Sequence, residues 1–168
     1  MQALAQAEVN TEAEQDALFR DAMSKFPSGV TVVTTIDTNG TWWGFTASSF
    51  CSLSMDPRLV LACLATTANC YEAFSRATHW AIHIIHTDQT DVAKTFASRG
   101  ADKFGGLEWE TNGHGVPLLP DAAVTLECEA ENVYPGGDHV ILVGRVTNTV
   151  IGDKVPTVYF RRGFHELG

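Results

Sequence analysis

Residues 44–57 read GFTASSFCSLSMDP: five hydroxyl side chains (Thr46, Ser48, Ser49, Ser52 and Ser54) in a segment that is otherwise apolar and follows Trp42 and Trp43. A hydroxyl inside a core strand costs free energy unless it finds a partner. Short hydroxyls beside exposed backbone N–H groups suit a phosphate or the polar edge of a ring. They equally suit a strand end whose serines cap turns. The stretch alone leaves both readings open.

Outward from it, Thr38-Asn39-Gly40 separates the β-branched run VTVVTTID from TWWGFTAS. Asn-Gly supplies the positive φ angles of a type I′ turn, so residues 44–57 continue from the second arm of a hairpin. The chain leaves the sheet at Asp56-Pro57 and returns as RLVLACLA, a short apolar run expected to be buried on both faces. Thr66, Thr67 and Asn69 can cap the helix predicted over NCYEAFSRA. A strand, HWAIHII, follows, and Thr87 or Asp88 can cap a helix through TDVAKTFAS. Residues 99–120 are loop-like, with five glycines and two prolines. In AAVTLECEAENVY, alternation places Ala122, Val124, Leu126, Cys128 and Ala130 inward and Thr125, Glu127, Glu129 and Glu131 toward water. Pro135-Gly136-Gly137-Asp138 turns the chain into HVILVGRVTNTV, and TVYFRR is the last strand, with Arg161 and Arg162 on opposite faces.

Upstream, residues 1–12 read as a loose tail and 13–168 as a single domain. Thr11 and Glu14 form a capping box, and Phe19, Ala22, Met23 and Phe26 make one apolar stripe before FPSGV. Strands outnumber helices and are joined mostly by hairpins, which favours a closed or nearly closed antiparallel barrel with a few covering helices. Several strands are too apolar on both faces for a lone barrel, so a homodimer is expected.

The 168 residues are 45% apolar and 18% charged, a globular composition, with a net charge of -9. That charge argues against a nucleic-acid binder, while an anionic small ligand answers to local charge. No apolar run reaches membrane-span length and no basic-then-apolar leader opens the chain, so a cytoplasmic protein is expected. Cys51, Cys63, Cys70 and Cys128 show no CxxC pairing. His79, His83 and His86 come near metal-ligand spacing but sit in a strand pattern, as sheet-surface histidines, and no metal site is expected. There is no GxSxG elbow, Walker motif or dinucleotide-fold glycine motif. Candidate cations for an anionic ligand are Arg99, Lys103, Arg161 and Arg162, and His139 follows the turn at Asp138.

FPSGVTVVTT, GFTASSFCSLSMDPRLVLACL, FAS…DKFGGLEWE, GVPLL, GDHVILVGRV and YFRRGF occur in that order from Phe26 on. The series resembles the short-chain flavin reductases of two-component monooxygenases. The resemblance implies an FMN-binding split β-barrel, mainly β, antiparallel and Greek-key-like, working as a homodimer. It implies reduction of FMN or FAD by NADH or NADPH, with the reduced flavin passing by diffusion to a partner monooxygenase. It implies flavin contacts at Gly29, Val30, Thr46, Ala47, Ser48 and Ser49, with Ser52 near the phosphate. Leu64, Ala65, Thr67 and Asn69 would add contacts, and Phe96, Ala97, Lys103 and Phe104 would close over the ribityl-phosphate end. His139 would lie near the nicotinamide or flavin ring as a positioning residue. Tyr159 and one of Arg161 and Arg162 would help to bind nicotinamide cofactor or phosphate. The rival reading is a non-catalytic flavin- or haem-binding module on the same barrel.

Overall fold

The computed structural model describes residues 11–167, so residues 1–10 of the expected tail lie outside the described part. In chain order come α1 (Glu12–Ser24), β1 (Ser28–Gly29), β2 (Thr31–Ile36), β3 (Trp42–Ala47), β4 (Cys51–Met55) and β5 (Arg58–Ala65). Next are α2 (Tyr71–Arg76), β6 (His79–Ile84), a 3-10 turn (Thr87–Gln89) and α3 (Thr90–Ala97). Then follow β7 (Glu110–Thr111), β8 (Pro117–Leu118), β9 (Val124–Gly136), β10 (His139–Ile151), β11 (Val158–Phe160) and β12 (Gly163–His165).

The main sheet has seven antiparallel strands in the order β3-β2-β6-β9-β10-β5-β4. Its edges, β3 and β4, do not pair, yet β3 touches β5 from across the sheet. The sheet is thus curled into a barrel left open along that seam, the antiparallel split barrel expected of the sequence. Phe45, Ala62, Leu64, Trp80, Ile82, Cys128, Val140 and Leu142 fill it, with Phe74 of α2 edge-on to Phe45 at 4.9 Å. A second cluster of Val30, Val32, Ile85, Ala93, Phe96 and Leu119 holds α3 on the outside of β2 and β3. Because β2 is covered on both sides, its threonines are buried, and each hydroxyl donates to a carbonyl: Thr31 to Ala47, Thr34 to Pro117 and Thr35 to His79. No buried hydroxyl on β2 is left without a partner.

The capping box at Thr11 and Glu14 is present, with the helix starting at Glu12. Several other expectations need correction. The β2–β3 turn is not type I′: only Gly40 has positive φ (82°), and the Asp37 carboxylate accepts from the N–H groups of Asn39 and Thr41, fixing a different turn. Strand β5 alternates between buried and half-buried residues instead of being buried on both faces. Neither α2 nor α3 uses a side-chain cap; a turn of chain enters each, with Cys70 and Gln89 at the cap positions. Thr125 is buried beside fully buried His83, its partner across the ladder, and His86 is buried as well, so these three are not surface residues. The stripe expected on α1 and just beyond it is exposed, Phe19, Met23 and Phe26 among it, because no element among the described residues packs on it.

Candidate active site

Two recesses open beside the curled edge of the barrel and share a wall made by Thr46 of β3 and Ala97 of α3. The first, about 290 Å³, is lined by Leu64 and Ala65, Thr67 and Asn69, Phe96, Arg99, Lys103 and His139. The second, about 460 Å³, is lined by Val30, Ser48, Lys94, Tyr159, Arg162 and Phe164. We refer to them as lobes of one cleft.

Local folding explains how each side chain arrives. Strand β3 ends at Ala47, so Thr46 emerges at the rim, where its hydroxyl donates to the Ala93 carbonyl and fastens the strand to α3. Ser49 both donates to and accepts from the backbone of Cys63, stitching the segment after β3 onto β5. The Gly137-Asp138 turn, with φ of +74° at Gly137, places His139 opposite Ala65. Thr66 donates its N–H and its hydroxyl to the Asp138 carbonyl, at 2.9 and 3.0 Å, locking the 64–69 turn to that hairpin. His139 Nδ1 lies 2.7 Å from the Asp138 carboxylate, and this partner holds the Asp138 carboxyl below its usual pKa.

The Lys103 ammonium is half-buried between α3 and β3, donating to the carbonyls of Phe96 (2.8 Å) and Gly44 (3.0 Å). Burial pushes its pKa down, and burial likewise pushes the thiol of neighbouring Cys70 up. Two of its three N–H donors are thereby committed to the backbone, which makes Lys103 a clamp for this wall as well as a lining cation. Phe104 lies in an adjoining recess with Trp42 and packs edge-on against Trp42, Phe96 and Trp109.

Of the residues singled out in the sequence, the first lobe gathers Thr46, Leu64, Ala65, Thr67, Asn69, Phe96, Ala97, Lys103 and His139. The second gathers Val30, Thr46, Ser48, Ala97, Tyr159 and Arg162. Ala47 is buried in the core, Gly29 pairs with Val158 outside the lobes, and Ser52 is exposed on the edge strand β4. The arginines are corrected in their setting: they are not in a strand but form the two-residue β11–β12 turn, with φ of 48° at Arg161 and 63° at Arg162. Arg161 sits over the Phe160 ring, and Arg162 reaches the second lobe. Sequence reasoning missed Cys63, Cys70 and Ser98 in the first lobe and the locking role of Thr66. Cys63 and Ser98 lie inside the motifs RLVLACL and FAS, while Thr66 and Cys70 carried only adjacency to an expected turn.

Residues 23–168 match the model of the flavin reductase like domain, and the chain belongs to that family. It is 44% identical over 150 residues to the NADH:riboflavin 5'-phosphate oxidoreductase of Streptomyces pristinaespiralis, covering 88% of this chain and 85% of that one. It is 34% identical over 154 residues to HsaB of Rhodococcus jostii, the reductase subunit of a flavin-dependent monooxygenase, covering 91% of this chain and 78% of HsaB. Among solved structures it superposes with a TM-score of 0.87 on the NADH:FAD oxidoreductase SgcE6 of Streptomyces globisporus in complex with NAD and FAD fragments. That match has 29% identity and covers 96% of this chain and 98% of SgcE6.

The donor set fits a flavin. In the first lobe apolar walls from Phe45, Leu64 and Phe96 face hydroxyl, amide and cationic groups from Thr67, Asn69, Arg99 and Lys103. A ring with a polar edge and a phosphorylated tail asks for that combination.

Proposed function

We propose that this chain is an NADH-dependent flavin reductase that reduces FMN or FAD and releases the reduced flavin to a separate monooxygenase. The observation that carries the reading is the two-lobed cleft whose lobes meet at Thr46 and Ala97. One lobe serves each cofactor, and the shared wall is where two rings can face each other. When bound, the flavin accepts a hydride from the reduced nicotinamide, chemistry that belongs to the cofactors themselves. The protein supplies orientation and exclusion of water. Thr46 fixes the common wall through Ala93, Lys103 braces it from beneath, and His139 stands at the rim to position a ring, not to move a proton.

Oxidation of NADH by the pure protein, followed with and without added FMN, FAD or riboflavin, tests the reading. Turnover that depends on added flavin is expected. A yellow protein that keeps its flavin through dialysis and does not oxidise NADH would instead be a binding module.

The working form is a homodimer, supported by apolar residues exposed in two places. Leu53 and Met55 lie on the edge strand β4, Leu18, Phe19 and Met23 lie on α1, and Phe26 follows its C-terminal cap. Sedimentation at micromolar concentration should give twice the 18.2 kDa chain mass, and a single-chain species would overturn this. All four cysteines are free thiols, which fits action in the reducing cytoplasm; disulfide-linked protein isolated from cells would count against it.

A further inference from the structure

We propose that Thr66, a residue outside the cleft, is a positioning residue for the reaction. Through the Asp138 carbonyl it fixes the turn that carries His139, and so sets that ring at the rim of the first lobe. The inference rests on the reductase reading and adds to it a residue that works behind the cofactor contacts.

The lining of the first lobe is fastened in two places. Beside α3, Thr46 donates to the Ala93 carbonyl and Lys103 spans the carbonyls of Gly44 and Phe96. The rest of the lining comes from residues 64–69, which leave β5, and from His139, which opens β10 after the Gly137-Asp138 turn. The ladder between these strands ends at the pair Ala65 and His139, so both turns run on past its last rung. The turn after β5 closes on itself, the Ala68 N–H donating to the Ala65 carbonyl at 3.0 Å. That closure does not tie it to the neighbouring hairpin. Thr66 does. Its N–H and its hydroxyl both donate to the Asp138 carbonyl, at 2.9 and 3.0 Å, so one residue takes both lone pairs of one oxygen. Thr66 does not itself line the lobe, although Ala65 and Thr67 on either side of it do.

What this double bond to one carbonyl controls is His139. Its ring is exposed, and among the described residues its hydrogen bond is to Asp138, with Nδ1 2.7 Å from the carboxylate. Nδ1 is thereby occupied, and Nε2 is the ring nitrogen left for a cofactor. Asp138 is gripped at its carbonyl by Thr66 while its carboxylate grips the imidazole, so any shift of the turn moves the ring. The strands do not need the Thr66 hydroxyl, because the ladder from Leu59 to Ala65 already joins β5 to β10. An exposed hydroxyl bond replaces one to water and adds little to stability. Its effect lies in placement. NADH gives a hydride to bound flavin, leaving NAD+ and the reduced flavin anion, and an error of about 1 Å in that approach can slow it by up to about a hundredfold.

Thr66→Val keeps the N–H and the β-branched shape but removes the hydroxyl, whereas Thr66→Ser keeps the hydroxyl. Backbone amide relaxation measured by NMR on flavin-free protein reads the link alone. Thr66→Val should loosen residues 66–69 and 137–139 together, and Thr66→Ser should be as rigid as wild type. Stopped-flow bleaching of FMN-saturated protein by NADH, without oxygen, reads the transfer. Thr66→Val should slow it about three- to tenfold at saturating NADH, with the urea midpoint unmoved, and Thr66→Ser should restore it. In a His139→Ala background, Thr66→Val should change the rate by less than about 1.5-fold, because its effect passes through that ring. A further fall in that background would locate the effect in the turn after β5 and overturn the assignment. So would a Thr66→Val protein whose two turns stay rigid, or one whose midpoint falls along with its rate, the mark of a merely structural bond. Wild-type speed in Thr66→Val, beside a wild type that needs added flavin to oxidise NADH, would fault Thr66 alone. A wild type that oxidises NADH with none of FMN, FAD and riboflavin would remove the reductase reading and the role of Thr66 with it, however rigid the turns.

Discussion

Acidification from about pH 7.5 to about pH 4.5 is expected to remove about 2–3 kcal/mol more folding stability from the wild type than from His83→Gln. His83 is fully buried on β6, and its Nδ1 lies 3.0 Å from the Val32 carbonyl, to which it donates. That bond leaves Nε2 unprotonated, and no hydrogen-bond partner among the described residues faces it. A proton added at Nε2 would put a cation and an unpaired N–H in the core, with Glu127 the charged group acting on it. Burial accordingly lowers the pKa from 6.5 to about 4. The unfolded chain binds the proton first as pH falls, so His83 leaves stability intact above about pH 7 and drains it between about pH 6.5 and pH 4. Below that range both states are protonated and the loss levels off. Glutamine does not titrate, so the difference between the two proteins cancels the carboxylates common to both. Urea unfolding across the range reads it, and parallel pH profiles for the two proteins would disprove the role of His83.

His83 also shows where the sequence is and is not legible. Period-2 patterning identifies β6 and puts His79 and His83 on one face, but it does not say whether that face meets water. Only what packs over that face of the sheet settles it, and no local pattern in β6 encodes that. Thr125 was misread for the same reason: its alternation with glutamates is real, yet its partner across the ladder is His83. Local signals with their own chemistry were readable. The Thr11–Glu14 box closes within one helical turn, and the Gly136-Gly137-Asp138 and Asp56-Pro57 turns declare their hairpins. The last hairpin was invisible because Arg161 and Arg162 are not turn residues by propensity, each at a cost of about 1–2 kcal/mol in the left-handed region. In the site, Thr46, Asn69, Ala97 and Lys103 were found through a resemblance between ordered motifs. The division into two lobes depends on how α3 and the β11–β12 turn sit against β3, which no short motif encodes.

Gly44→Ala is expected to destabilise the protein by about 1–3 kcal/mol through overpacking, and to weaken flavin binding as well. Gly44 lies mid-strand in β3, where an added Cβ would stand 2.5 Å from Phe96 Cε1, 2.8 Å from its Cδ1 and 3.0 Å from the Val33 carbonyl oxygen. Val33 belongs to the paired strand β2 and cannot yield without breaking the ladder, so Phe96 and α3 must move. Phe96 is itself buried and wedged against Phe104 and Trp109, with ring centroids at 5.2 and 5.7 Å. Movement of α3 also pulls on Lys103, whose ammonium spans the Gly44 and Phe96 carbonyls. It shifts Phe96 and Ala97 in the lining of the first lobe, and a displacement there of about 1 Å is enough to spoil an oriented contact. Phe96→Ala removes the atoms that collide. It will itself destabilise the core, but combined with Gly44→Ala the two losses should fall short of their sum by about 1 kcal/mol or more. Urea unfolding and FMN fluorescence titration on the wild type, both single variants and the double variant give the full cycle. Additive losses, or a Gly44→Ala protein within about 0.5 kcal/mol of wild type, would show that β3 and α3 are not packed as described. A coupled loss seen in both stability and flavin affinity would tie the closeness of β3 and α3 directly to the shape of the cofactor lobe.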